Sequence, residues 1–212
     1  MKNKNYIINN ILGMLLFFTI NCHSQINDSY VITSVDKKQY SIFIKDSIFI
    51  KNDISFKKAY ENKNGVNIKT KLKNILLKNN TSVDEDNDGY KKYEYLYYIK
   101  NHNKHLIKFT YFEGDHYLLI DDKSGKIDTL DSKPLIFGNR LLIIYQDMED
   151  ADQFSTLKYY IFNTKNNLNL INTRKERWVL KKATLLKNNN VAILVNSIPD
   201  NKVKYNEIVF KN

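Results

Sequence analysis

Tyr93-Glu-Tyr-Leu-Tyr-Tyr-Ile99, Leu106-Ile-Lys-Phe-Thr-Tyr-Phe112 and Tyr117-Leu-Leu-Ile120 follow one another with only short polar breaks. In the first, Tyr93, Tyr95, Tyr97 and Ile99 alternate with Glu94, Leu96, Tyr98 and Lys100. A period of two sends each set to its own face of an extended strand. Asn101 to Lys104 reads as a polar turn. Asp121-Asp-Lys-Ser-Gly-Lys126 reads as another, with Gly125 able to take positive φ. These hairpins define an antiparallel, all-β chain.

Outward from this centre the pattern continues. Strands are expected at Tyr30–Val35, Ile127–Leu130, Leu141–Tyr145, Leu157–Phe162, Leu168–Ile171, Trp178–Leu180, Val191–Val195 and Tyr205–Phe210. Ser41-Ile-Phe-Ile-Lys45 recurs as Ser47-Ile-Phe-Ile-Lys51, which predicts two short strands, or one with a bulge, about Lys45-Asp46. Between Val66 and Asn79 the apolar residues suit either a helix or two strands around Lys73-Asn74. The absence of a clean helix cap favours strands. Met148 to Ser155 reads as an irregular acidic loop. With 6 glycines in 212 residues, turns must draw on Asn and Asp, which tolerate left-handed backbone.

Two internal matches suggest repetition. Tyr117-Leu-Leu-Ile-Asp matches Tyr159-Tyr-Ile-Phe-Asn at an offset of 42, and Leu141-Leu-Ile-Ile-Tyr matches Val191-Ala-Ile-Leu-Val at 50. Such periods, with about four strands each, are propeller-blade spacing. Glu113-Gly-Asp-His-Tyr-Leu-Leu-Ile-Asp-Asp-Lys-Ser-Gly-Lys126, then Pro134-Leu-Ile-Phe137 and Tyr160-Ile-Phe-Asn163, resembles exported, propeller-like β proteins of Bacteroidetes-type bacteria. The resemblance spans Lys73 to Val195 and implies a fold and a compartment, not a reaction. The expectation is one all-β domain over residues 25–212, built of short antiparallel hairpins, propeller-like and partial or open.

The chain begins with Lys2 and Lys4, then the apolar run Ile11 to Ile20. That order reads as an export signal over residues 1–24. The run is about half of the roughly 20 apolar residues that a spanning helix needs, so no transmembrane segment is expected in the mature chain. Cys22 and Ser24 satisfy the small-x-small rule for a cut before Gln25. The alternative is a cut before Cys22 with lipidation of its thiol. Cys22 is the sole cysteine, so the mature domain has no disulfide, thiol nucleophile or cysteine-ligated metal.

Formal net charge is +10, and removing the two signal lysines leaves +8. The only arginines are Arg140, Arg174 and Arg177, and the lysines are dispersed. Base readout favours the planar guanidinium fork, so no nucleic-acid partner is expected. The sequence does not specify a partner, and a cell-envelope polymer or protein is one candidate.

Asp84-Glu-Asp86-Asn-Asp88-Gly89 places carboxylates at loop positions one, three and five before a glycine, the start of a calcium loop. Lys92 and Tyr95 occupy the later ligand positions, so Asp84, Asp86 and Asp88 would hold calcium weakly, and otherwise form a solvated acidic loop. His102, His105 and His116, with Glu113 and Asp115, form a second candidate metal group. Trp178 is either a sugar platform or a core anchor. No nucleophile elbow, zincin motif or phosphate loop occurs. The expectation is a non-enzymatic binding or structural module. Its alternative is a carbohydrate-active hydrolase using a carboxylate pair.

Overall fold

A computed structural model describes residues 30–45, 54–55, 59–149, 152–198 and 200–211. The export signal, Cys22 and the repeat Ser47–Lys51 lie outside the described residues. In chain order the elements begin with strand β1 (Tyr30–Val35), helix α1 (Lys37–Lys45) and the two-residue β2 (Ile54–Ser55). A first sheet holds β3 (Ala59–Asn62), β4 (Gly65–Lys69) and β5 (Asn74–Lys78). A second holds β6 (Lys91–Ile99), β7 (Lys104–Tyr111), β8 (Gly114–Asp121) and β9 (Ile127–Leu130), with β2 beside β6.

The third sheet is β10 (Leu135–Phe137), β11 (Arg140–Glu149), β12 (Asp152–Phe162) and β13 (Leu168–Glu176). The fourth is β14 (Trp178–Leu185), β15 (Val191–Ser197) and β16 (Val203–Phe210), completed by β1 on its outer edge. Every pairing is antiparallel. The first described strand is thus hydrogen-bonded to the last, Tyr30 opposite Phe210.

The sheets pack in series, and side-chain alternation explains how. Leu106 and Leu119 meet Leu141 and Ile143 between the second and third sheets. Their sequence neighbours Ile107, Leu118 and Ile120 point the other way, onto Val66, Ile68 and Ile75 of the first sheet. In the third sheet Leu142 and Ile144 turn from Leu141 and Ile143 to meet Val191, Ile193 and Val195 of the fourth. Strands covered on both faces read as unbroken apolar runs, and Leu141–Ile144 and Val191–Val195 are such runs. Each fully buried Leu or Ile contributes roughly 1.5–3 kcal/mol, so these central strands carry much of the stability.

The two ends of the series differ. At one end α1 covers the fourth sheet, with Tyr40 and Phe43 packed on Leu186, Ala192, Leu194 and Tyr205. At the other, the first sheet alternates, Val66 and Ile68 inward against Asn67 and Lys69 outward. No described element covers its outer face.

Most expected strands are present. Val66–Asn79 is a hairpin, and four Asn residues (103, 166, 189 and 201) take positive φ in turns. Two expectations need correction. Ser41–Lys45 lies in α1 rather than in a strand. Asp36 caps this helix, accepting the Gln39 N–H at 2.7 Å, and Tyr40 with Phe43 supplies the i, i+3 apolar contact. β-branched Ile42 and Ile44 give the segment its strand-like look, but the cap and the buried face decide it. Nor is Met148–Ser155 an irregular loop throughout. Its pairs Met148–Gln153 and Glu149–Asp152 extend the β11–β12 hairpin, and residues 150–151 lie outside the described ones.

The two sequence matches fall on equivalent strands. Tyr117 and Tyr159 stand in the third strand of successive meanders, β8 and β12, while Leu141 and Val191 stand in the second, β11 and β15. Neither residues 117–146 nor residues 159–196 contain a helix. Among the described residues no helix is long and apolar enough to cross a membrane.

Candidate functional site

The chemistry-bearing residues singled out by sequence are dispersed. Asp84, Asp86 and Asp88 lie exposed in the β5–β6 connection. That connection is closed by backbone bonds between Asn80 and Lys91, and by Asn80 Nδ2 donating to the Gly89 carbonyl at 2.7 Å. Inside it Asn87 N–H donates to Asp84 O, and Gly89 N–H to Asn87 Oδ1. Among the described residues no three His, Cys, Asp or Glu side chains converge to hold a metal ion.

The three histidines serve different places. His102 stacks on Phe162, with ring centres 3.8 Å apart, and its Nε2 lies 2.6 Å from the Gly138 carbonyl. His105 is fully buried between the Tyr95 hydroxyl (3.2 Å from Nδ1) and Asp122 Oδ1 (3.1 Å from Nε2). A proton on Nε2 satisfies both contacts, the ring donating to Asp122 and accepting from Tyr95. Burial, with the nearby Tyr98 and Asp122, raises the Tyr95 hydroxyl well above its ordinary value, so it stays a donor. His116 stands at the opposite end of the β7–β8 hairpin, 3.0 Å from the Tyr111 hydroxyl, which also donates to Glu113.

The Tyr95–His105–Asp122 chain has the composition of a proton relay, but His105 and Asp122 are sealed from solvent. It acts as a clamp. The Asp122 carbonyl accepts from Lys71 N–H and its N–H donates to Asn103 O, joining the β4–β5 turn to the second sheet. Beside it, fully buried Lys104 lies 3.2 Å from Asp121. Burial works to raise the Asp121 carboxyl, but bonds from Ser124 and Lys104 outweigh it and hold the carboxyl below the usual range.

Other carboxylates are likewise engaged. Lys108 meets Asp115 at 2.8 Å, Lys126 meets Asp128 at 2.8 Å, and Lys158 meets Asp131 at 2.6 Å. For Asp115 burial again opposes ionisation, and Lys108 with Thr110 overcomes it and lowers the pKa. Trp178 is a core anchor, 7% exposed between the third and fourth sheets.

A different surface is open. The bare outer face of the first sheet forms a depression of about 570 Å³, within the range of about 300–1,000 Å³ for ligand sites. Tyr60 and Leu76 rise from its floor, 68% and 57% exposed. Around them stand Asn62, Asn64, Asn67, Asn79 and Asn80, with Lys63, Lys78, Thr81 and Ser82. None of its lining residues is a carboxylate.

Two of these amides build the rim. Asn79 donates to the Lys63 carbonyl and accepts from Tyr93 N–H, while Asn80 bonds Gly89 and Ser82. Asn62 Oδ1 accepts from Asn64 N–H. Gly65 shapes the floor. Its φ is +135°, and a Cβ there would overlap the Leu77 carbonyl oxygen. Sequence reading passed over this surface, although the Asn-rich ends of the Val66–Asn79 hairpin and its one-sided alternation were its visible signals.

No family model, curated protein or solved structure matches the chain. The site's own chemistry therefore carries the functional argument.

Proposed function

We propose that the protein is an exported, non-enzymatic binding module, and that the bare face of its first sheet is the ligand surface. The observation that carries this reading is the depression around Tyr60 and Leu76, whose lining supplies amides, hydroxyls and lysines without a carboxylate. Hydrolysis of a glycosidic bond uses an acid and a base or nucleophile, commonly two carboxylates flanking the bond. That lining suits holding a polymer rather than cutting it. Successive antiparallel sheets of three, five, four and four strands, the last completed by β1, support an open, propeller-like array as the scaffold.

Export follows from residues 1–24, with mature protein beginning at Gln25, or at a lipidated Cys22. Intact-mass analysis of protein from the producing cell checks this, and retained Met1 would overturn it. The binding reading is tested by retention on immobilised cell-envelope polymers, with reducing ends assayed in the same samples. Retention that Tyr60→Ala and Asn67→Ala abolish, without release of reducing ends, is expected. Release of reducing ends that an Asp or Glu substitution abolishes would replace this reading with the hydrolase.

A further inference from the structure

We infer that the depression on the first sheet takes an anionic glycan, a polysaccharide segment bearing sugar carboxylates. This inference rests on the reading of that face as a ligand surface and adds the ligand's chemistry. The first observation is electrostatic. Lys63 and Lys78 both line the depression, are exposed, and make no ion pair among the described residues. Lys104, Lys108 and Lys158 of the second and third sheets are instead matched to aspartates. A concave site with cations and no lining carboxylate is complementary to an anion.

The second observation is the character of the remaining groups. The side-chain amides of Asn64 and Asn67, and Asn62 Nδ2, carry no hydrogen bond among the described residues. Each amide presents donors beside an acceptor, the pattern that vicinal sugar hydroxyls match in both roles. The carboxylates of an acidic peptide would use only the donors, whereas each sugar hydroxyl serves both roles, so the amides favour the glycan. The third is the floor. The exposed Tyr60 ring on β3 offers an apolar plane for the C–H face of a pyranose, with the phenol reaching the hydroxyls, and Leu76 adds a second apolar point on β5, across Asn67.

The lysines sit at the surface, where attraction between charges is screened by salt. They set preference among glycans, and Tyr60 with the amides supplies most of the hold.

The test is isothermal titration of the mature protein with oligogalacturonate, its methyl-esterified form and dextran. Oligogalacturonate should bind, weaken as salt is raised from 20 to about 200 mM, and lose about tenfold in affinity in Tyr60→Ala. The double variant Lys63→Gln, Lys78→Gln should remove the preference for the free acid over the ester. Lys181→Gln, Lys182→Gln, on exposed positions of β14, should change nothing. All substituted positions are solvent-facing, and circular dichroism confirms that each variant is folded. Ester and acid binding equally through Tyr60 would overturn the anionic class and leave the ligand surface standing. Binding of oligogalacturonate that no depression variant alters would overturn both.

Discussion

The two ends of the sheet series face solvent in opposite ways. The fourth sheet presents Ala192, Leu194 and Tyr205, and a capped helix lies across them. The first presents Asn62, Asn67 and Lys78 around Tyr60 and Leu76, and no described element covers them. An apolar face must be covered by the chain, whereas a polar face needs no cover, and it is this face that we propose as the ligand surface. On the proposed reading, the difference also separates stability from function. Residues buried on two faces hold the fold, and those on the one-sided end are free to be selected for binding.

The largest effects should come from strands covered on both faces. Ile143→Ala, in the middle of β11, should cost about 3–4 kcal/mol by chemical denaturation, through lost burial and an unfilled cavity. A cost below about 1 kcal/mol would mean that the second and third sheets are not packed as described. Next is the charge buried within the second sheet. Asp121→Asn leaves the Lys104 ammonium without its carboxylate and should cost about 3 kcal/mol.

The same pair predicts a pH dependence. The Asp121 carboxyl titrates lower in the folded chain than in the unfolded. Its contribution is therefore complete above the unfolded value near 4 and is lost as pH falls through the folded one. Urea midpoints between pH 5 and pH 2.5 should fall less steeply in Asp121→Asn than in wild type. Equal slopes would assign the acid sensitivity to other groups.

Smaller effects sharpen the contrast between the ends. Asp36→Ala removes the α1 cap and should cost about 1 kcal/mol, with aggregation rising as the helix frays from Leu194 and Tyr205. At the other end, Leu76→Ala and Tyr60→Ala should shift stability by no more than about 0.5 kcal/mol. A larger loss there would show that the face is structural.

The hairpins from Tyr93 onward were legible from alternation and Asn or Gly turns, but a bulge between Tyr95 and Tyr97 breaks the period of two, so Tyr93 and Tyr95 face the first sheet while Tyr97 and Ile99 face the third. The double-sided runs Leu141–Ile144 and Val191–Val195 named their own central positions, and the 42- and 50-residue offsets marked equivalent strands. Ser41–Lys45 misled because strand propensity is weaker than a cap combined with a buried contact. The acidic tip of β11–β12 misled because a run of charged residues hides strand pairing. The site itself was the least legible part. Its residues are common surface types, and their meaning comes from which sheet ends the series, which depends on long-range packing. Asp84, Asp86 and Asp88 stay together in one exposed loop, whereas packing distributes the three candidate histidines to separate places in the fold.

Hydrogen exchange with and without oligogalacturonate compares both ends of the molecule in a single measurement. Added ligand should slow exchange in residues 59–82 and leave α1 and the β11–β12 hairpin unchanged, while Tyr60→Ala abolishes the effect. Protection centred on the fourth sheet or on residues 135–162, with none in 59–82, would contradict the assignment of the bare end sheet as the binding face.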